Sequence, residues 1–173
     1  MRPRYNLARK KAAELLRASS VAQAPVPVEV LAERAGAVIR YEPFDGQLSG
    51  MLYRSDDGAV IGVNSLHPAV RQRFSIAHEI GHLLLHGPEL HVDEHAFVAF
   101  RDLESSKASD PAEIEANQFA AALLMPADLL MKSIGELGSN PDVSDAIRVL
   151  AQRFQVSQEA MTIRLTKLGY LTE

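Results

Sequence analysis

Residues 6–19 repeat alanine, leucine and basic side chains at helical spacing, which predicts a first helix. The stretch Ala24-Pro-Val-Pro27 breaks it, and residues 28–35 predict a second, short helix with Gly36 at the C-terminal capping position. The period then changes from helical to alternating. Residues 37–41 read as a strand, Gly46 and Gly50 flank a turn into residues 51–54, and Asp57-Gly58 signals a hairpin whose returning strand is 59–63. So small a hairpin leaves backbone groups unpaired. Residues 51–54 are therefore expected to form a free edge beside the following helix, open to an extended peptide.

The strongest helical pattern comes next and runs to His86. Asn64 or Ser65 is the expected cap, Pro68 falls in the early turn, and Gly87-Pro88 stops the helix. Residues 89–109 are irregular apart from an apolar patch at 97–100. Asp110-Pro-Ala-Glu113 opens another helix, with Asp as cap, Pro first and Glu third, running to about Met125. Residues 128–137 predict a further helix before Gly138-Ser-Asn-Pro141 breaks the chain. Residues 150–169 read as helix, tight turn and helix, with Ala151, Phe154, Val156, Ala160, Ile163 and Leu165 as their small core and Ser157 as the second cap. The fold class is α+β. Residues 1–138 are expected to form the core with its N-terminal helices, and 139–173 a helix-turn-helix-like segment packed on it.

Chemistry concentrates in residues 73–86, R-F-S-I-A-H-E-I-G-H-L-L-L-H. At about 100° per residue, Ser75, His78, Glu79, His82 and His86 fall in one arc of roughly 100°, while apolar residues cover most of the rest. This is a largely buried helix with one polar stripe. Within it, His78, Glu79 and His82 form H-E-x-x-H. Residues four apart on a helix project in nearly the same direction, so the two imidazoles can share one Zn²⁺ with Glu79 beside it as candidate general base.

Composition narrows the chemistry. The chain has 173 residues, 47% hydrophobic and 23% charged, with a formal net charge of -4. No overall basic field gathers nucleic acid or anionic membrane. The absence of cysteine excludes disulfides and thiolate ligands, so a metal must use histidine and carboxylates. Arg2 and Arg4 follow Met1 without an apolar signal core, and no apolar run is long enough to span a bilayer. A soluble cytoplasmic protein without membrane association is the expectation.

Two histidines do not complete a catalytic zinc site, which takes three protein ligands. His86 is nearest, but eight residues of helix separate it from His78, a rise of about 12 Å. It either supports the site from one turn away or is a solvated helix end. On the downstream helix, Glu113 shares its side with Ala116, Phe119, Ala120, Leu123 and Leu124, whereas Glu115 points away with Gln118 and Ala122. An inward Glu113 calls for a cation, or it closes a capping box with Asp110. Asn117, one turn beyond, is placed to orient a ligand histidine. Tyr53, His91 and His95 remain unassigned candidates for stabilising an oxyanion.

Together, residues 73–86 and the later E-I-E-A-N-Q-F-A-A-A-L-L-M-P resemble the ImmA/IrrE family of metallo-endopeptidases, and the likeness extends through most of residues 64–171. The resemblance implies a zincin-like core binding Zn²⁺ through His78, His82 and Glu113, with Glu79 as catalytic base. It also implies a protein substrate, since characterised members cleave helix-turn-helix repressors and so switch on the genes they silence. Some members carry a further C-terminal sensory domain, for which this sequence leaves no room on the same reading.

The competing reading is a non-catalytic, metal-stabilised regulatory or DNA-binding module. It would put Gln158, Thr162 and Arg164 near a groove. Residues 142–173 hold four basic and four acidic residues, so little phosphate-neutralising charge is available and direct DNA binding is disfavoured. Packing on the core or holding a protein substrate is the preferred role. Oligomeric state is not legible.

Overall fold

The structure, a computed structural model, describes residues 2–45, 48–55, 58–87, 91–93, 110–138 and 142–171. In chain order these form α1 (Tyr5–Ala18), α2 (Val28–Arg34), β1 (Ala37–Glu42), β2 (Gly50–Ser55), β3 (Gly58–Asn64), α3 (Ala69–Leu85), β4 (His91–Asp93), α4 (Pro111–Leu124), α5 (Ala127–Gly135), α6 (Val143–Phe154) and α7 (Gln158–Lys167). The α+β class is found, with β4 in a stretch expected to be irregular and α6 beginning at Val143, well before the expected residue 150. The apolar patch at 97–100, His95, Gly46, Asp57, Pro88 and residues 139–141 lie outside the described residues. No described helix is long and apolar enough to cross a membrane.

The sheet order is β1-β3-β2-β4, with β1 parallel to β3 and the other pairs antiparallel. The β2–β3 hairpin is in register from Gly50 opposite Val63 to Ser55 opposite Gly58. The expected free edge at 51–54 is covered in part. Gly50, Met51 and Leu52 also pair with Asp93, Val92 and His91, so β4 covers that part of β2. A segment separated from the hairpin by the whole of α3 supplies this cover, which no local pattern could announce.

Strand alternation sends Gly50, Leu52 and Arg54 toward α3 and leaves Tyr53 exposed on the opposite face. Gly50 makes a close approach there: a Cβ would come within 3.3 Å of both Glu79 Oε1 and the Gly62 carbonyl oxygen. At the other end of β2, the Arg54 guanidinium donates to the carbonyls of His82, His86 and Gly87 and closes the C-terminal turn of α3. The start of α3 differs from expectation. Pro68 is the capping residue and supplies no side-chain bond, and Asn64 still belongs to β3. Buried, Asn64 accepts from the Phe44 and Leu66 amides and donates to the Phe44 and Leu48 carbonyls, pinning the loop before β2.

α4 starts as its sequence requires, with Pro111 in its first turn and the Asp110 carboxylate accepting from the Ala112 amide at 2.9 Å. It packs on α3 and on α1. The closest approach to α3 is at Gly81, where a Cβ would lie 3.0 Å from Ala116 Cα and 3.2 Å from Ala116 O. On the α1 side, buried Glu115 accepts from the Arg4 amide at 2.7 Å, from Nε at 3.0 Å and from Nη2 at 2.7 Å. These bonds outweigh the cost of burial and hold the Glu115 carboxyl at about 2.

The last two helices join through a short turn in which Gln155 adopts a left-handed conformation (φ 53°). The Ser157 hydroxyl caps α7 through the Ala160 amide, as expected. Ala151, Phe154, Val156, Ala160 and Leu165 are buried as expected; Ile163 is only partly buried, and Met161 takes the inner position. All the buried members belong to the same hydrophobic cluster as α1, α3 and α4. Arg164, offered to a DNA groove by the competing reading, is instead 5% exposed and donates Nε to the Met125 carbonyl at the end of α4.

Two measurements follow from this packing. Gly81→Ala gains roughly 0.5–1 kcal/mol of helix propensity, but overpacking against backbone costs about 1–3 kcal/mol. Packing wins, so the urea midpoint should fall, whereas Gly135→Ala, which meets nothing within 4 Å, should leave it unchanged or raise it. Equal effects of the two substitutions would mean that α3 and α4 yield freely.

The second concerns acid. Glu115 titrates lower in the folded chain, about 2 against an ordinary 4.5, so its contribution is complete above 4.5 and disappears as pH falls toward 2. In chelator-treated protein, the stability gap between wild type and Arg4→Met should therefore narrow across that window. A gap independent of pH would show that the ionised pair contributes nothing.

Candidate metal centre

Residues 73 to 82 of α3 are all buried, so an unpartnered polar side chain among them is costly. His78 and Glu79 are 0% exposed and His82 3%. The i, i+4 spacing brings the two imidazoles edge to face, with ring centroids 4.6 Å apart and their Nε2 atoms 3.0 Å apart. Glu113 arrives from α4 with Oε2 3.4 Å from His78 Nε2 and Oε1 3.4 Å from His82 Nε2.

These three donors all lie within 4.8 Å of one another and could hold a metal ion. The spacing fits the chemistry. Tetrahedral zinc with bonds of about 2.0–2.1 Å needs ligand atoms roughly 3.3 Å apart. Two imidazole nitrogens facing each other across 3.0 Å also require a cation or a shared proton between their lone pairs. The set contains nitrogen and oxygen donors only, as a chain without cysteine must provide.

The outer ring nitrogens are equally occupied. His78 Nδ1 lies 2.9 Å from Asn117 Oδ1, the contact expected from the position of Asn117 one turn beyond Glu113. His82 Nδ1 lies 3.0 Å from His86 Nδ1, and His86 Nε2 lies 3.1 Å from Glu115 Oε2. His86 therefore stands on the side of the His82 ring remote from Glu113, and it is no solvated helix end. Glu79 lies buried under Gly50, one residue from His78. Tyr53 is not brought to this centre, and His91 is described only as part of the backbone of β4.

One sequence inference is corrected. Burial was expected to single out Glu113 and send Glu115 outward, but the Glu113 side chain is 14% exposed and that of Glu115 only 3%. Glu115 turns into the α1 side of α4, where Arg4 is its cation. The wheel separated the two carboxylates correctly and missed a second buried surface, since α1 supplies it from 111 residues away. The unused signal was His86 itself, which continues the four-residue spacing of His78 and His82.

Known proteins bear directly on this centre. Residues 32–166 match the model of the IrrE N-terminal-like domain, a peptidase family. The chain is 33% identical over 109 residues to the radiation response metalloprotease IrrE of Deinococcus radiodurans, covering 62% of this chain and 31% of that protein. It is 37% identical over 107 residues to the protein of the same name from Deinococcus deserti, covering 54% of this chain and 36% of that one. The chain thus spans about a third of the length of these relatives. Among solved structures, a Mycobacterium tuberculosis transcriptional regulator superposes over 93% of this chain and 46% of its own, with a TM-score of 0.61 and 19% identity, a likeness of fold. A family model covering most of the chain, with metalloproteases among its relatives, identifies this chain as a member of the IrrE N-terminal-like domain family.

Proposed function

We propose that the chain is a zinc-dependent endopeptidase of zincin-like architecture. In this reading His78, His82 and Glu113 hold the ion and Glu79 is the catalytic base. The observation that carries it is the convergence of three donors from two helices at ligand spacing, with both imidazoles held from behind. Membership of a family whose named relatives are metalloproteases supports the same reading.

An ion held by this set would polarise a scissile carbonyl and acidify the attacking water. The protein's own residues do the rest. Glu79, buried and next to a ligand in sequence, takes a proton as the water oxygen adds to the carbonyl carbon. It returns that proton to the amine nitrogen as the C–N bond breaks. Asn117 Oδ1 accepts from His78 Nδ1–H, which fixes the tautomer that presents Nε2 to the ion.

The substrate we propose is an intracellular protein, a helix-turn-helix repressor whose cleavage releases its genes. The competing DNA-binding reading loses a key contact, because Arg164 is buried in the protein's own core. Residues 142–171 are then a helical segment seated on the catalytic part rather than a reader of DNA.

Elemental analysis tests the ligands: wild type should carry one zinc, and His82→Ala and Glu113→Ala should lose it. Full retention in both would refute the assignment. Glu79→Gln should keep its zinc while cleavage of a repressor encoded beside the gene slows by about a hundred- to ten-thousand-fold. Normal cleavage by that variant would remove Glu79 from the role of base, and a zinc-loaded wild type that binds DNA but cuts no protein would favour the regulatory module.

A further inference from the structure

Behind His82 runs a line of groups whose donors and acceptors, with His86 neutral, fix one another in turn. Arg4 can only donate, and its backbone amide, Nε and Nη2 all face Glu115, so Glu115 is the acceptor. A carboxylate that accepts from Arg4 also accepts from His86 Nε2–H, at 3.1 Å. A neutral His86 with its proton on Nε2 presents a lone pair at Nδ1, 3.0 Å from His82 Nδ1. His82 must then carry its proton on Nδ1, which leaves the Nε2 lone pair facing His78 and Glu113. Built from the arginine inward through a neutral His86, the pattern ends in a metal-ready imidazole.

We propose that His86, Glu115 and Arg4 are positioning residues that set the tautomer and ring orientation of His82. The N-terminal arm thereby belongs to the metal centre. This rests on the reading of His82 as a metal ligand. Arg4 precedes residues 32–166, so the family match says nothing of it. The two imidazoles are supported unequally: His78 leans on one neutral amide, while His82 is backed by an ionised carboxylate with a guanidinium behind it. An acceptor polarised by a carboxylate raises the basicity of the ligand nitrogen, and loss of such outer partners typically weakens metal binding about 10–100-fold.

The simpler alternative is that Arg4 and Glu115 only dock α1 on α4. A double-variant cycle on the full chain, read by competition with a chromogenic zinc chelator, separates the two. Arg4→Met, Glu115→Gln and His86→Leu should each lower zinc affinity about tenfold or more, and the Co²⁺-substituted forms should shift their visible absorption bands. Arg4→Met is expected to have no further effect once His86→Leu is present, because the line is already cut. His86→Gln, whose amide can accept from His82 and donate to Glu115, should recover part of the loss. Leu15→Ala, a buried substitution on α1 away from this line, should lower the unfolding midpoint and leave zinc affinity within about twofold.

Single variants with wild-type affinity and unshifted cobalt spectra overturn the proposal. So do losses from Arg4→Met and His86→Leu that simply add, or a Leu15→Ala that loses zinc as readily. Should Glu115→Gln fail to fold, Arg4→Met decides, because the Arg4 side chain is 47% exposed and its loss of stability is read separately from zinc affinity. Zinc that survives His82→Ala at full affinity defeats the ligand reading and this inference together, whereas zinc lost by His82→Ala but kept by all three relay variants defeats the inference alone.

Discussion

Everything at this centre depends on how closely two helices approach. His78 and His82 are fixed to one another by a single turn of α3, but Glu113 belongs to α4, and its distance from them is the distance between helices. Gly81 sets it. With no Cβ, it lets the backbone of α3 come against Ala116, where a methyl group would meet Cα at 3.0 Å. The Glu113 oxygens stand 3.4 Å from each imidazole, and metal–ligand bonds tolerate only about 0.2 Å of error. A glycine in mid-helix is intrinsically unfavourable by roughly 0.5–1 kcal/mol. Here the cost is local and the return is the geometry of three donors.

Close packing of this kind buries polar groups, and the fold answers several of them from far away in sequence. The Arg73 guanidinium donates to the Val26 carbonyl, Arg164 to Met125, Arg54 to the end of α3, and Asn64 to the loop before β2. The two imidazoles find their outer partners on α4 and in the last residue of the motif stretch, His86. Because a half-satisfied buried network costs more than an apolar core, these contacts specify one arrangement of the helices as well as stabilising it. Gly50 serves the same purpose at the sheet, where the absence of a side chain makes room for the Glu79 carboxylate.

Local signals in the sequence carried far. The helix and strand periods, the Asp110-Pro111 start, the Ser157 cap, the H-E-x-x-H face and the Glu113–Asn117 pair are all products of spacing within one element. What spacing could not carry is what another segment does. The start of α3 is an example: Asn64 and Ser65 are good capping residues, but β3 holds Asn64 until the strand ends, so the helix begins after Pro68 without a side-chain cap. Likewise part of the free edge expected at β2, Met51 and Leu52, is covered by β4, which the chain supplies only after α3. Glu115 was read as outward because a helical wheel knows one buried side, and α4 has two.

The clamps on α4 also say something about time. Arg4 holds it near its first turn, through Glu115, and Arg164 holds the carbonyl at its far end, through Met125. One arginine comes from just ahead of α1 and the other from α7, the first and last helices of the described fold. A helix gripped by both has one of its holds still to be made when it is synthesised. Contacts so distant along the chain form late, since the entropy of closing long loops must be overcome before they contribute. His78 and His82 can face each other as soon as α3 winds. Glu113 joins them only across the packed contact of α4 with α3, so the three-donor arrangement follows tertiary docking rather than helix formation.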